Sequence, residues 1–344
     1  MTWPTLDLAL IRQAQAKLQG LLHRTPLVHS QTLSEELGAA VYLKLECLQK
    51  TGSFKPRGAF HKLLSLSDEE RRRGVVAVSG GNHAQGVAYA ARQLGVSAVI
   101  AMPASTPRNY LDATRGYGAD IVLLPDIQAA FAECGRLQAQ GRVLVHPFDD
   151  PLVAAGQGTV GLEILEDLPG LTHVFISIGG GALIAGIATA LKSHKPNVRI
   201  TGVQTHGADA MARSLAAGHL VELPAITSIA RTLGAPRVCD FTFNAVRELV
   251  DEVKVVSDDV TLTALCFLLE RTKILTEPAA ACCLAAARLH RGQFQPTDRV
   301  VLVMCGGNVS VADLLAFRDQ ANNPSAERSV AVAALGQGVA SVSR

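Results

Sequence analysis

The sequence has almost no excess charge of either sign: 32 lysines and arginines stand against 30 aspartates and glutamates, a net of +2. That balance gives no electrostatic case for nucleic acid or an anionic membrane as partner. Paired cysteines are also missing. The seven cysteines, Cys47, Cys134, Cys239, Cys266, Cys282, Cys283 and Cys305, are odd in number, scattered, and never in a Cys-x-x-Cys pair. Neither a disulfide framework nor a zinc site is suggested, and a reducing cytoplasm is the natural setting. The first residues show no basic head followed by a pure apolar run, so no signal peptide is read there. No internal repeat and no low-complexity tract occurs. The stretch from Val174 to Leu191 carries no charge and approaches the length of a membrane span. Gly179-Gly180-Gly181 at its centre makes a strand, a glycine turn and a buried helix the better reading.

What is present suits a large soluble core. The chain has 344 residues, 48% apolar and 18% charged, enough for about two domains of roughly 150 residues. Thr5 and Asp7 open a helix with apolar residues at Leu8, Ile11, Ala14 and Leu18, ended by Gly20. Val41–Leu45 reads as a strand, and a helix follows Lys55 to about Leu66. Ser67-Asp68-Glu69-Glu70 has the spacing of a capping box. From Val75 apolar strands alternate with helices: strands at Val75–Val78, Ala98–Met102, Ile121–Leu124, Val143–Val145, Val174–Ile178, Val198–Val203, Lys254–Val256 and Val300–Met304. Such strands indicate parallel sheets covered on both faces, an α/β fold. The prolines of His146-Pro147-Phe148-Asp149-Asp150-Pro151 mark a domain crossing. Residues 204–252 are mixed, Ser257 caps a helix expected to reach about Lys273, and Pro278 starts another. The end of the chain, 321–344, reads as a loosely held tail.

Four stretches carry chemistry. In Thr51-Gly52-Ser53-Phe54-Lys55-Pro56-Arg57-Gly58-Ala59, the proline fits the first turn of a helix, so Lys55 is held at a loop-to-helix junction. An isolated lysine there is ordinarily a solvated helix start; one that must hold position in a covalent bond needs such stiffness. Ser79-Gly80-Gly81-Asn82-His83-Ala84-Gln85-Gly86 joins a strand to a helix, where backbone N–H groups bind anions. It reads as a turn with a cap or as a carboxylate cradle. Gly179-Gly180-Gly181-Ala182-Leu183 repeats the arrangement and suits a phosphate. A dinucleotide fingerprint fits poorly, because it requires glycine where Ile184 stands and an acid after the next strand, where Gln204 stands. No Walker lysine is present. Cys305-Gly306-Gly307-Asn308 follows the last strand and by itself is a turn with a buried thiol. All four lie at C-terminal ends of strands, where ligands gather in open α/β sheets. A cofactor needing both a phosphate cradle and a covalent lysine is pyridoxal phosphate.

Taken together and in this order, these motifs resemble the serine/threonine dehydratase (ammonia-lyase) family of fold type II pyridoxal-phosphate enzymes, which also holds serine racemase. The likeness covers roughly residues 15–315. It implies two open parallel-sheet α/β domains with the cofactor in the cleft: residues 54–150 the smaller, residues 1–53 with 151–320 the larger. It also implies a homodimer acting on a small amino acid. Lys55 would hold the cofactor as a Schiff base and then act as the base on Cα–H. Phe54 would pack on the pyridine ring, Asn82 bond the phenolic oxygen, and Gly179, Gly180, Gly181, Ala182 and Leu183 hold the phosphate. Ser79, Gly80, Gly81, Asn82 and His83 would receive the substrate carboxylate, and Cys305 would face the ring nitrogen. Glu277 resembles a family position near the ring, although an acid at a helix start is also what the dipole favours.

A neutral thiol at the ring nitrogen, in place of a carboxylate, suits β-elimination rather than a long-lived carbanion, with the cofactor phosphate able to protonate the leaving oxygen. The expected reaction takes L-threonine or L-serine to a 2-oxo acid and ammonia. The same chemistry on threo-3-hydroxyaspartate, phenylserine or a hydroxyectoine-derived amino acid is an alternative. Racemases of this group carry a serine where Gly80 stands, so the second base is missing. Relatives that bind a divalent cation use acids where this chain has Gln204 and Ala210, with Asp209 beside them, so no metal is expected. Where relatives often read Ile-Ala-Asp-Gly, this chain has Ile229-Ala230-Arg231-Thr232, for which the sequence offers no physical account.

Overall fold

A computed structural model of the chain describes residues 5–322. The expected 321–344 tail lies outside them, save for the end of the Val311–Asn322 helix. The chain forms two compact units. One joins the N-terminal stretch to Thr25 with Leu48–Asp167 and Gly181–Pro196; the other joins Pro26–Cys47, Leu168–Gly180 and the chain from Asn197 onward.

The first unit holds a four-stranded sheet in the order Asp120–Leu124, Ala98–Pro103, Val75–Val78, Val143–Leu144, all parallel. Every residue of Val75–Val78 is buried, as an inner strand covered on both faces must be. The two-residue period divides it cleanly. Val75 and Ala77, with Ile100 and Met102, face Ala59, Phe60 and Leu63 of the Lys55–Leu64 helix and Ala84, Val87 and Ala88 of the Asn82–Gln93 helix. Val76 and Val78, with Val99 and Ala101, face Ala130, Cys134 and Leu137 of the Ile127–Ala139 helix. The expected capping box is formed, Ser67 accepting from Glu70 N and Glu70 accepting from Ser67 N.

Three helices of this unit meet backbone to backbone: Lys55–Leu64, Pro151–Asp167 and Ala182–His194. A methyl group on Gly156 would lie 2.7 Å from Gly58 Cα, and one on Gly58 would lie 2.7 Å from Val153 O. One on Gly186 would lie 2.6 Å from Gly158 N. The middle helix touches its two neighbours through glycines because nothing larger fits. Arg57, 2% exposed, locks the first crossing. Its guanidinium donates to both Glu163 oxygens at 2.6 and 3.0 Å and to Thr159 Oγ1 at 3.0 Å.

The second unit holds a six-stranded sheet in the order Leu27–His29, Ala40–Lys44, Arg299–Val303, His173–Ser177, Arg199–Thr205, Glu252–Val256. Five strands run parallel, and Leu27–His29 pairs antiparallel with Ala40–Lys44. The expected parallel α/β architecture is present. The short Leu27–His29 strand and the Gln31–Leu37 helix after it are additions to the sequence reading. In the mixed 204–252 region stand two helices, Ala210–Ala217 and Asp240–Leu249, and a single turn at Arg231–Leu233. The helix expected to run from Ser257 to Lys273 is α-helical only over Asp258–Phe267. It widens into a π turn at Leu268–Thr272 and stops at Lys273, whose φ of 61° is left-handed.

The glycine crossings give a contrast that urea unfolding can read. Gly156→Ala overpacks the crossing and is expected to lower stability by about 1–3 kcal/mol. Gly135→Ala, in the exposed middle of its helix with open space around it, is expected to raise stability by about 1 kcal/mol.

Candidate active site

Within the first unit, two left-handed residues, Thr51 at φ 62° and Gly52 at φ 69°, turn the chain into the Lys55–Leu64 helix. Pro56 sits in its first turn, as the sequence indicates. Lys55 is half-buried, and its Nζ donates to Pro147 O at 3.0 Å and lies 5.1 Å from the centre of the Phe54 ring. A methyl group on Gly86 would come within 3.0 Å of the Lys55 carbonyl carbon and Cβ, so the Asn82–Gln93 helix lies directly against the lysine's backbone.

The N-terminus of that helix is the second part. Gly81 stands at its N-cap and no side chain caps it, the arrangement in which helix-start N–H groups can face an anion. Ser79 Oγ accepts from Gly81 N at 3.0 Å, leaving its hydroxyl proton to donate. Asn82 and His83 are buried. His83 Nε2 lies 2.8 Å from Val145 O. A carbonyl only accepts, so Nε2 carries the proton and Nδ1 is left as a buried lone pair without a partner. Burial, reinforced by the charge of Lys55, holds this imidazole well below its ordinary pKa, hence neutral. The ring therefore has no donor left for a carboxylate; the helix-end N–H groups and Ser79 do. A methyl group on Gly80 would meet Thr106 Oγ1 at 2.7 Å.

The third part is the start of Ala182–His194. Gly181 has φ 103°, a value that glycine adopts and L side chains avoid, and again no side chain caps the helix. The start of this turn belongs to the second unit, where a methyl group on Gly179 would lie 3.2 Å from Leu233 Cα.

The second unit also holds Cys305 and Glu277. Cys305 is buried at the end of Arg299–Val303. Burial, with the nearby Glu277 carboxylate, pushes its thiol well above the ordinary range, so it stays neutral. Ser177 Oγ donates to Cys305 Sγ at 3.4 Å, a residue the sequence reading missed because nothing local marks it. Glu277 precedes Pro278–Leu289. Its Oε1 accepts from Thr232 Oγ1 at 2.7 Å and its Oε2 from Asn308 N at 3.2 Å. This accounts for Thr232: it supplies a hydroxyl to a buried carboxylate. Arg231 is exposed, and nothing in the structure explains its identity.

Where a cation acid was sought, Gln204 uses its amide otherwise. Nε2 donates to Ile178 O at 3.2 Å and Oε1 accepts from Ala212 N at 2.8 Å, tying two strand ends to the Ala210–Ala217 helix. Asp209 pairs with Arg213 at 2.9 Å. Among the described residues no helix is long and apolar enough to cross a membrane.

The chain has clear relatives. The family described as pyridoxal-phosphate dependent enzyme matches residues 18–306. An L-threonine ammonia-lyase of Geobacter sulfurreducens is 44% identical over 308 residues, 89% of this chain and 76% of that protein. The structure of maize serine racemase superposes with a TM-score of 0.87 at 36% identity, covering 92% of this chain and 98% of the other. A threonine deaminase from Solanum lycopersicum does so with a TM-score of 0.85 at 34% identity, covering 94% and 96%.

The Arg57–Glu163 pair is testable on its own. Glu163→Ala strands a buried guanidinium and is expected to cost about 3–5 kcal/mol in urea unfolding. Arg57→Met combined with Glu163→Leu is expected to cost less than that single change.

Proposed function

We propose, on the premise that this chain belongs to the pyridoxal-phosphate-dependent enzyme family, that it is a dehydratase of the ammonia-lyase type, converting L-threonine or L-serine to a 2-oxo acid and ammonia. The observation that carries this reading is the setting of Lys55. Its amine is half-buried, its backbone is clamped by Gly86, and the uncapped Asn82–Gln93 helix begins beside it. The 44% identity to an L-threonine ammonia-lyase supports the reaction class.

The residues suit the cofactor. A left-handed Gly181 before an uncapped helix of 13 residues offers N–H groups and a dipole to a phosphate. Cys305, a neutral thiol, suits a ring nitrogen that is not protonated. When bound, pyridoxal phosphate supplies an electron-withdrawing ring conjugated to the substrate's Cα. Lys55 would hold it covalently at Nζ, with Phe54 against the ring, Asn82 at the phenolic oxygen and Gly179–Leu183 around the phosphate. The same Nζ takes the proton from Cα. Ser79 and the N–H groups of Asn82 and His83 would orient the substrate carboxylate. Gly80 carries no side chain that could return a proton to the opposite face, which favours elimination over racemisation. The proton lost from Cα and the hydroxyl lost from Cβ together make one water, and hydrolysis of the released unsaturated amino acid, as its imine, yields the 2-oxo acid and ammonia.

The protein is further proposed to be a cytoplasmic homodimer, and its seven free cysteines suit a reducing compartment. Substrates with other side chains at Cβ would use the same residues.

Purified protein given pyridoxal phosphate is expected to show a visible absorbance band that borohydride bleaches, with the label on Lys55. Lys55→Arg is expected to abolish turnover. On a panel of β-hydroxy amino acids, 2-oxo acid and ammonia should appear in equal amounts and D-serine should not. A colourless protein, or D-serine formed faster than pyruvate, sinks the assignment.

A further inference from the structure

We propose that His146 is a fixed hydrogen-bond donor to the substrate's β-oxygen, the group that leaves. This rests on the dehydratase reading above and deepens it. In the sequence this histidine is only punctuation before two prolines. In the structure it lies between two carbonyls that each hold a site residue. Val145 O accepts from His83 Nε2 at 2.8 Å, and Pro147 O accepts from Lys55 Nζ at 3.0 Å.

Its ring has no choice of tautomer. Nδ1 accepts from two backbone N–H groups, Phe148 at 3.2 Å and Asp149 at 2.7 Å. A nitrogen receiving donors presents its lone pair, so the single proton of the neutral ring is on Nε2. The Phe148 ring meets the imidazole edge-on, centres 4.7 Å apart at 85°, and holds its plane. Half-burial and the charge of Lys55, only partly offset by Asp149, push its pKa down to about 4. At neutral pH the ring is thus a permanent Nε2–H donor.

The neighbouring histidine cannot serve in its place. His83 spends its Nε2–H on Val145 and keeps only a lone pair at Nδ1. Two neutral imidazoles beside one lysine therefore have opposite polarity. A hydroxyl leaving group needs the donating one. As the Cβ–O bond breaks, its electron pair goes to oxygen, and a donor aimed at that oxygen lowers the barrier. The proton that Lys55 Nζ takes from Cα would pass to the departing oxygen, which leaves as water, and His146 keeps its own.

The test compares leaving groups in the holoenzyme. L-Serine loses its β-oxygen as water, whereas β-chloro-L-alanine loses chloride, which needs no donor. His146→Leu is expected to lower kcat/KM on L-serine about 10²-fold and on β-chloro-L-alanine by less than about threefold. His146→Gln, which restores an N–H donor, should recover part of the L-serine rate. Independently, 15N NMR of histidine-labelled protein, with His146 assigned by the Gln variant, should show the Nε2–H tautomer unchanged from pH 6 to 8. Equal losses on both substrates in both variants, or an Nδ1–H ring, overturn the proposal while leaving the dehydratase reading intact. A wild-type protein that binds no cofactor and turns over neither amino acid overturns both.

Discussion

Everything at Lys55 depends on how closely three helices can approach. The Pro151–Asp167 helix meets the lysine's own helix at Gly58 and Gly156, and the helix that begins after Gly181 at Gly158 and Gly186. Backbone-to-backbone contact leaves no side chain to flex, so the spacing between the lysine and the Gly181 turn is set by main-chain atoms alone. The bidentate Arg57–Glu163 pair adds direction to this contact. A buried pair of this kind contributes little net stability, yet it is costly to misalign. Arg57 lies two residues from Lys55, so any slip of the crossing moves the amine.

Charge is used sparingly around the candidate chemistry. Cys305, His83 and His146 are each pushed toward their neutral forms, mainly by burial. The proposed anion sites are two helix ends without side-chain caps, at Gly81 and Gly181. In that reading, partial charges on N–H groups would do the binding that lysines and arginines otherwise do. The same reading gives Lys55 the moving proton, and a chain with a net charge of only +2 would then need no electropositive surface to take anionic ligands.

The sequence reveals what is local and hides what is assembled. Val75–Val78 was legible because an inner parallel strand is a run of apolar residues. The Ser67–Glu70 cap was legible because its two partners lie three residues apart. Lys55 and the glycine turns announce themselves for the same reason, since proline and glycine act on the backbone where they stand. The helices Ala210–Ala217 and Asp240–Leu249 were missed because neither starts with a side-chain cap to mark it. The expected long helix after Ser257 fails at Leu268 through a widened turn that no residue there requires. Ser177 reaches Cys305, and Thr232 reaches Glu277, only once the sheet and the Pro278–Leu289 helix have brought distant segments together. The role of Gly156, Gly158 and Gly186 was equally hidden, because a glycine inside a helix ordinarily signals weakness.

Each sheet has one brief edge strand and one of five residues, but the long edges differ in charge, and that bears on how the chain survives its own folding. In the second unit the brief margin is the three-residue Leu27–His29 strand, and the five-residue margin, Glu252–Val256, carries the charges of Glu252 and Lys254. In the first, Val143–Leu144 closes one side in two residues, but the other is Asp120–Leu124, five residues long with Leu123 exposed. Until its neighbouring helices settle, that strand is the natural template for edge-to-edge aggregation, and Asp120 at its start is the one charge placed to discourage it.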